Sequence, residues 1–197
     1  MSAGDRTLRA RRGAALPGSA AAVLAMALVL APGTGSAGTG KWFAGIEGNF
    51  SFLGQLISGE AALGSFAYRV AAGYRPSAFD VFAAVEHGFW KDDEGSERLR
   101  IQTLDVGVGV GGTFFDGRVR AELSGGASIL LTQSQLDEPG TTGFFLDARP
   151  AGIRWRMGGN IIVSLYPLTF AFVAPVTRGI PLVYISYRTA VVCELEF

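Results

Sequence analysis

Apolar residues alternate with polar or small residues along most of the chain from Lys41 to Phe197, which is the period-2 pattern of β-strands with one apolar face. The pattern predicts eight strands, at about 41–52, 65–75, 79–90, 103–114, 118–131, 144–157, 160–174 and 183–197. The last is the clearest: one face carries Val183, Ile185, Tyr187, Thr189, Val191, Cys193, Leu195 and Phe197, and the other carries Tyr184, Ser186, Arg188, Ala190, Glu194 and Glu196. No helical periodicity competes, so we predict an all-β chain.

Two of the predicted strands change phase, each at a proline. The apolar face shifts by one position across Pro150 in the sixth strand and across Pro167 in the seventh. The two prolines are equally far from the turn at 157–160, so they are expected to face each other across a hairpin. Because proline cannot donate to a sheet ladder and a bulge shifts the alternation by one, the pattern predicts a shared irregularity there.

The links between the strands alternate strictly between short and long. Short turns are predicted at 75–78, 115–118 and 158–160, and longer links at 53–64, 91–97, 133–142 and 175–181. An even number of strands with short turns at one rim and longer loops at the other is typical of an outer-membrane barrel whose short turns lie in the periplasm.

Composition narrows the class of protein. The chain has 197 residues, 49% hydrophobic and 17% charged, with a single cysteine, which excludes a disordered chain and a disulfide scaffold. Lys plus Arg and Asp plus Glu are equal at 17 each, so the broad basic surface of a nucleic-acid binder is absent. A mean hydropathy of +0.31 points to a membrane, yet no apolar run after residue 31 approaches the roughly 18–20 residues of a spanning helix.

The first 37 residues are predicted to be a cleaved signal peptide. Arg6, Arg9, Arg11 and Arg12 precede an apolar run at 20–31, and small residues lead to Ala37, after which we place cleavage. General secretion is favoured over twin-arginine export, since the sequence after Arg11-Arg12 lacks the expected pattern. The mature barrel domain is then 38–197, and removing four Arg and one Asp from the totals of 17 each leaves a charge near −3.

The alternation by itself allows the apolar face to point either outward into lipid or inward, as in a soluble lipocalin-like barrel or a sandwich. Three features favour lipid: a terminal Phe197, the presence of only two lysines, Lys41 and Lys91, and aromatic residues at strand ends. These aromatic residues are Trp42, Phe52, Tyr74, Phe79, Phe89, Phe114 and Tyr187.

A sheet that spans lipid must close on itself, because every backbone N–H and C=O needs a partner within the protein. The inward set then comprises Glu47, Arg69, Asp80, Glu86, Asp105, Arg120, Glu122, Asp147, Arg149, Arg154, Arg156, Arg188 and Glu194. Charges of both signs in a narrow barrel favour a network of ion pairs and water over an open channel.

The leader, the eight amphipathic strands and the ending Val191-Val192-Cys193-Glu194-Leu195-Glu196-Phe197 resemble the eight-stranded outer-membrane β-barrel family, the OmpA/OmpX-like class of Gram-negative envelopes with an outer membrane protein beta-barrel domain. The resemblance covers the mature chain. It implies that Phe197, with alternate hydrophobic residues before it, is the signal read by the barrel-assembly machinery. Thr189 departs mildly from that pattern, and no peptidoglycan-binding domain is expected after the barrel.

Two features could suggest enzymatic chemistry. Residues 107–112 match the letters of a dinucleotide-binding fingerprint, but they lie mid-strand and no helix follows, so inner-face glycines that make room for opposing side chains are favoured. His87 is the single histidine, predicted on the lipid side near Phe89, where an acyl-transfer site could lie. No serine lies at a characteristic spacing, so an amphipathic interfacial role is favoured.

Three further features could indicate a metal, redox or phosphate site. Four carboxylates within 91–97, with Asp137-Glu138 on the next long link, could bind a divalent cation, but a solvated loop is favoured. Cys193 is predicted to be an outward thiol without a partner, which excludes zinc and redox roles. Arg154 and Arg156 flank Trp155 in a way that could suggest a phosphate site, but alternation sends both arginines inward, as in a barrel interior.

The sequence therefore predicts an all-β, eight-stranded antiparallel up-and-down transmembrane β-barrel in the cell outer membrane. We expect a polar, largely plugged lumen and a structural or interaction role through extracellular loops, with a narrow pore for small solutes or a lipid-modifying enzyme as alternatives. We expect no enzymatic activity and assign no catalytic, cofactor-binding or metal-binding residue. The expected partners are outer-membrane lipid, lipopolysaccharide and the barrel-assembly machinery, with no nucleic acid, and the protein is expected to be a monomer.

Overall fold

The structure, a computed structural model, describes residues 40–56, 61–62, 65–91, 100–133, 141–177, 180–181 and 183–197. They form eight long strands: β1 (Lys41–Leu56), β2 (Ser65–Arg75), β3 (Phe79–Lys91), β4 (Arg100–Phe114), β5 (Val119–Gln133), β6 (Thr141–Arg156), β7 (Ile161–Thr177) and β8 (Tyr184–Glu196). Two short segments, Ala61–Ala62 and Ile180–Pro181, extend the pairing of β1 and β7. The predicted signal peptide lies outside the described residues.

The strands form one closed antiparallel ring. Each strand pairs with its neighbours in sequence, and β8 pairs with both β7 and β1. The β1–β8 seam runs from the pair Phe43–Glu196 to the pair Leu56–Tyr184. The predicted eight-stranded antiparallel up-and-down barrel is confirmed. In the described part of the chain, no helix has the length and apolarity that a membrane crossing requires.

The apolar faces of the strands point away from the barrel axis. In β8, Val191 and Leu195 are exposed on the outside while Arg188 and Glu194 are buried inside, as the alternation predicts. Exposed Ile, Val, Leu, Phe and Trp residues occur on the other strands too. An exposed apolar surface that surrounds a whole barrel is unfavourable in water and favourable in lipid.

The two prolines lie in a shared irregularity, which confirms the prediction. The β6–β7 pairing shifts on both sides of the pair Ala151–Leu168, with Pro150 on one side of that pair and Pro167 on the other. They therefore flank the same pair and do not face each other directly. Each proline side chain is exposed on the outer surface. At this bulge the carbonyl of Pro167 accepts a hydrogen bond of 2.9 Å from the hydroxyl of Thr189 on β8.

The barrel has two different rims. At one, which we call the short-turn rim, strands are joined at 76–78, 115–118 and 157–160, and both ends of the barrel sequence meet there, with Trp42 and Phe197 exchanging backbone hydrogen bonds. Phe115, Asp116 and Gly117 take positive φ values in the second turn, and Gly158 and Gly159 do so in the third. The opposite rim, the long-loop rim, carries the longer links.

Candidate functional site: the barrel interior

The interior at the short-turn rim is an ionic network centred on β8. Glu194 and Glu196 project inward, and Arg75 of β2 contacts both, with 3.3 Å between its Nη2 and Glu194 Oε2. Arg75 Nε also donates to Asp80 Oδ2 at 3.1 Å. Arg120 of β5 donates to Asp80 Oδ1 at 3.0 Å and to Glu194 Oε1 at 2.8 Å. Each of these two arginines therefore links carboxylates from different strands.

Three more cations reach the same two glutamates from the rim itself. Arg154 Nη2 lies 3.3 Å from Glu194 Oε2 and 3.2 Å from Glu196 Oε1. Arg156 and Lys41 donate to Glu196 Oε2 at 2.7 and 3.3 Å. Arg154 is buried, but Arg156 is half exposed at the rim, so its predicted inward direction holds only in part.

A second ionic layer lies at mid-height and is organised by Arg149 of β6. Its guanidinium makes two contacts with the Glu47 carboxylate, one of them 2.7 Å long, and its Nε donates to Asp147 at 2.8 Å. The same group lies 3.5 Å from Glu122, which also accepts a 2.5 Å hydrogen bond from the Tyr166 hydroxyl. The side chain of Arg149 is fully buried, so all of its hydration is replaced by these oxygens.

A neighbouring buried pair joins β3 and β8. Arg188 contacts Glu86 through Nη1 and donates to Ser186 through Nε at 2.9 Å. The amide of Asn49 bridges the two acidic groups of this level, donating to Glu47 at 2.7 Å and to Glu86 at 3.2 Å. Because removal from water costs several kcal/mol per ion, such charges are stable only with partners of this kind.

Aromatic rings fill the space between the ionic layers. Guanidinium groups lie over their faces: Arg75 over Phe43 at 4.6 Å, Arg69 over Phe82 at 5.3 Å and Arg149 over Tyr166 at 5.3 Å. This is the cation–π arrangement, which stabilises a cation away from water. A cavity of about 10 Å³, enough for about one water molecule, lies among Phe43, Arg69 and Phe82.

The interior below the long-loop rim is apolar, which the sequence reasoning missed. Six strands, β3 to β8, each contribute one buried side chain to a cluster that we call the outer plug: Trp90, Ile101, Leu130, Phe145, Val173 and Tyr184. Trp90 and Tyr184 stack with their ring centroids 4.0 Å apart. The interior is therefore ionic at one end and hydrophobic at the other, whereas the sequence predicts a network of ion pairs and water.

The structure places the predicted inward charges inside the barrel, apart from the half-exposed Arg156. The buried members are Glu47, Arg69, Asp80, Glu86, Asp105, Arg120, Glu122, Asp147, Arg149, Arg154, Arg188 and Glu194. The sequence did not show which of them meet, because that depends on the stagger between distant strands.

The glycine-rich segment of β4 has the packing role that was predicted for it. A Cβ on Gly107 would lie 2.3 Å from the backbone oxygen of Gly125, and one on Gly109 would lie 2.4 Å from the ring of Phe82. A Cβ on Gly111 would lie 2.5 Å from a carboxylate oxygen of Asp80. These glycines make room for neighbouring groups within a continuous strand.

His87 lies on the outer face, as predicted, among aromatic rings. Its Nδ1 is 2.6 Å from the Tyr68 hydroxyl, and its ring centroid is 4.2 Å from that of Phe89. Cys193 is an exposed, free thiol on the outer face, as predicted. Aromatic pairs lie near both ends of the strands, among them Trp42–Tyr74 at the short-turn rim and Phe170–Tyr187 towards the other.

The remaining sequence hypotheses concern metal ions and the long links. Among the described residues, no group of three or more His, Cys, Asp or Glu side chains is arranged to hold a metal ion. The acidic cluster at 92–97 and the pair Asp137-Glu138 lie outside the described residues, and so does the side chain of Phe52.

A closed eight-stranded antiparallel barrel that is apolar outside and ionic inside is the architecture of the eight-stranded outer-membrane β-barrels. Among solved structures, Neisserial surface protein A (NspA) matches with a TM-score of 0.58 and 15% identity, over 79% of this chain and 97% of that one. Ail of Yersinia pestis, in complex with the heparin analogue sucrose octasulfate, matches with a TM-score of 0.50 and 10% identity, over 80% and 99%. The resemblance stated from the sequence is therefore confirmed for the fold. No family model and no curated protein matches the sequence.

Proposed function

We propose that the protein is an integral outer-membrane β-barrel with its short-turn rim in the periplasm and a closed lumen. The observation that carries this proposal is the apolar outer face of a closed ladder, whose buried ion pairs lie inside. Apolar side chains such as Val108 and Leu195 cover the outside, while ionic groups such as Arg149 and Glu194 meet inside. Closure satisfies the backbone in lipid, and the outer face matches hydrocarbon.

The closed lumen is supported by two successive barriers. The outer plug occupies the interior below the long-loop rim, and the arginine–carboxylate layers occupy the interior below it, around a cavity of about 10 Å³. An ion on this path would have to separate buried ion pairs and pass through an apolar cluster, both of which cost free energy. A structural or interaction role is therefore favoured over a narrow pore.

A non-enzymatic role is favoured by the surroundings of His87. The described polar partner of its Nδ1 is the phenol of Tyr68, which is a poor nucleophile compared with a serine activated by a His–carboxylate pair. The two rings lie in an aromatic cluster with Phe89 near the predicted outer interface. This composition is typical of an interfacial anchor.

The long links are proposed to lie outside the cell and to make the contacts of the protein. Residues 92–99 and 134–140 contain six carboxylates, Asp92, Asp93, Glu94, Glu97, Asp137 and Glu138, against one cation, Arg98. Ail is bound to a heparin analogue in its crystal structure. A polysulfated ligand of that kind would be repelled by this charge excess, so cationic partners, or divalent cations shared with lipopolysaccharide, are favoured. Phe197 is proposed to be read by the barrel-assembly machinery, and the barrel is proposed to be a monomer.

The single cysteine provides a direct test of the membrane face. In lipid vesicles, Cys193 should react slowly with a charged, water-soluble thiol reagent, because its thiol faces hydrocarbon. The matched control carries Cys193→Ala and Arg118→Cys, which places the thiol at the exposed short-turn rim, and it should react fast. Extraction with detergent and a gel mobility that changes on heating should accompany this result. Equal reactivity of the two thiols, or a protein that is soluble without detergent, would contradict the proposal.

Planar-bilayer recordings test the closed lumen separately. The wild-type barrel should give no steady unitary current. A reproducible steady current would instead support the narrow pore and overturn the closed lumen, while leaving the membrane location intact.

A further inference from the structure

A cleft at the short-turn rim brings three arginines and a tryptophan together. It has a volume of about 600 Å³ and lies between the turn that joins β4 to β5 and the end of β6. Its lining includes Asp116 and Arg118 from the turn and Ile153, Arg154, Trp155 and Arg156 from β6. We call it the rim cleft.

The backbone fixes these arginines side by side. The amide of Arg154 donates to the carbonyl of Arg118 at 2.8 Å, so the turn is held against β6. Arg156 follows two positions later, and its side chain is 48% exposed and anchored to Glu196. The three guanidinium groups therefore belong to one short stretch of the rim.

Two of these groups retain unused donors. The Arg118 side chain is exposed and has no acceptor in the described part of the chain. Arg154 has a side chain only 8% exposed, and its Nε has no hydrogen-bond partner among the described residues. The exposed guanidinium of Arg118 can therefore bind an acceptor that enters the cleft, with the charge of Arg154 beside it.

The charge at this rim also favours an anion. The described ion pairs of this rim join Lys41, Arg75, Arg120, Arg154 and Arg156 to Asp80, Glu122, Glu194 and Glu196, and neither Arg118 nor Asp116 belongs to them. Glu122 is shared between Arg120 and Arg149. Asp116 is the carboxylate that lines the cleft, and it has no described ion pair. The arginines of the cleft therefore still outnumber its acids.

The outer wall of the cleft is apolar. Ile153 and Trp155 alternate with the arginines along β6, so they project to the lipid-facing side and are 48% and 46% exposed. A ligand in the cleft would thus meet cations at one end and an aliphatic and an indole side chain at the other. Indole rings prefer the membrane interface, where lipid headgroups lie.

We propose that the rim cleft binds a phospholipid of the periplasmic leaflet, with its phosphate at Arg118, Arg154 and Arg156 and its chains along Ile153 and Trp155. This proposal rests on the proposed function, which places the short-turn rim in the periplasm. Guanidinium groups bind phosphate oxygens through paired hydrogen bonds, and basic pockets next to a bilayer bind lipid headgroups.

Native mass spectrometry of the full barrel in a maltoside detergent, which contains no phosphate, tests the proposal. The probes are dioleoyl phosphatidylglycerol, dioleoylglycerol, which lacks the phosphate, and inorganic phosphate. The main variant is the double substitution Arg118→Gln with Arg156→Gln. Arg118→Gln alone is the second variant, because the Arg118 side chain has no described partner that folding would require. The matched control is Lys41→Gln, which removes one charge from the same rim outside the cleft.

We expect one retained phosphatidylglycerol per barrel, a loss of affinity of about tenfold or more in the double variant, and no loss in the control. Dioleoylglycerol should not be retained, and millimolar inorganic phosphate should not displace the lipid. The proposal would be overturned by equal binding in the double variant, by an equal loss in Lys41→Gln, or by equal retention of dioleoylglycerol. Displacement of the lipid by inorganic phosphate would also overturn it and would indicate a site for a free anion. Heat-modifiable mobility is measured on the same samples: a folded barrel that fails to bind lipid refutes the cleft alone, whereas a chain that is soluble without detergent refutes the proposed function.

Discussion

Trp90 and Tyr184 stack nearly parallel across the interior of the barrel, at an interplanar angle of 22°. They come from β3 and β8, which are not paired in the sheet, so the contact crosses the lumen. Both rings are buried, and the other members of the outer plug surround them. This contact lies at the end of the barrel that faces the long links.

Replacement of Trp90 by Ala should destabilise the barrel strongly. The change leaves a cavity under Tyr184, and a buried Trp→Ala substitution costs about 3–5 kcal/mol. The free energy of unfolding is measured by urea titration in detergent micelles. Trp42→Ala, which removes an exposed ring at the other rim, is the control and should cost about 1 kcal/mol. Equal losses in the two variants would contradict a larger contribution of the outer plug to stability.

The pair Arg188–Glu86 should behave as a single unit. Arg188→Met leaves Glu86 buried without its cation, which costs about 3–5 kcal/mol in the free energy of unfolding. Combining Arg188→Met with Glu86→Gln should recover part of that loss, with a coupling energy of about 0.5–3 kcal/mol. Arg118→Gln, at a side chain without a described partner, should change stability by less than about 0.5 kcal/mol. Strictly additive losses would contradict the pairing.

Thr189 should stabilise the proline bulge through its hydroxyl. Thr189→Val keeps the shape of the side chain but removes the hydroxyl that donates to the Pro167 carbonyl. The free energy of unfolding in vesicles should fall by about 1–2 kcal/mol. Thr189→Ser keeps the hydroxyl and should stay closer to the wild type. A valine variant as stable as the wild type would mean that the carbonyl finds another donor.

The inner glycines should differ sharply from an outer one. In Gly107→Ala the new methyl group would collide with a backbone oxygen of β5, which cannot rotate away, so we expect a loss of about 1–3 kcal/mol. The matched control is Gly48→Ala, where the nearest atom to the new Cβ, in the ring of Phe50, lies 3.5 Å away. Unfolding titrations of both variants provide the comparison. An equal loss in the free energy of unfolding for Gly107→Ala and Gly48→Ala would contradict close packing of the strands at Gly107.

Most of the fold could be predicted from the sequence because the side-chain period of a strand is two and one face is apolar. The direction of each residue of β8 follows from that rule, and so does the irregularity at Pro150 and Pro167, since a bulge changes the phase visibly. Composition at strand ends and the scarcity of lysine then indicated the outward direction of the apolar face. These are local signals.

The side-chain contacts inside the barrel could not be predicted in the same detail, because they depend on the stagger between distant strands. Leu130 and Phe145 each lie among small or polar inward residues on their own strands, and nothing local shows that they meet Trp90 and Tyr184 at one height. The rim cleft was missed for a related reason: alternation placed Arg154 and Arg156 inward, while the partner that completes the group, Arg118, belongs to a turn. Strand periodicity does not describe turns.

The strand β8 both closes the sheet at the β1–β8 seam and carries two carboxylates of the ionic network. Glu194 and Glu196 reach Arg75, Arg120 and Arg154 only when β8 is in place between its two neighbours. Without β8, Arg75 and Arg120 keep the carboxylates of Asp80 and Glu122 but lack the two carboxylates of β8 that also bind them and Arg154. Closure of the ring and full neutralisation of these guanidinium groups thus depend on the same strand.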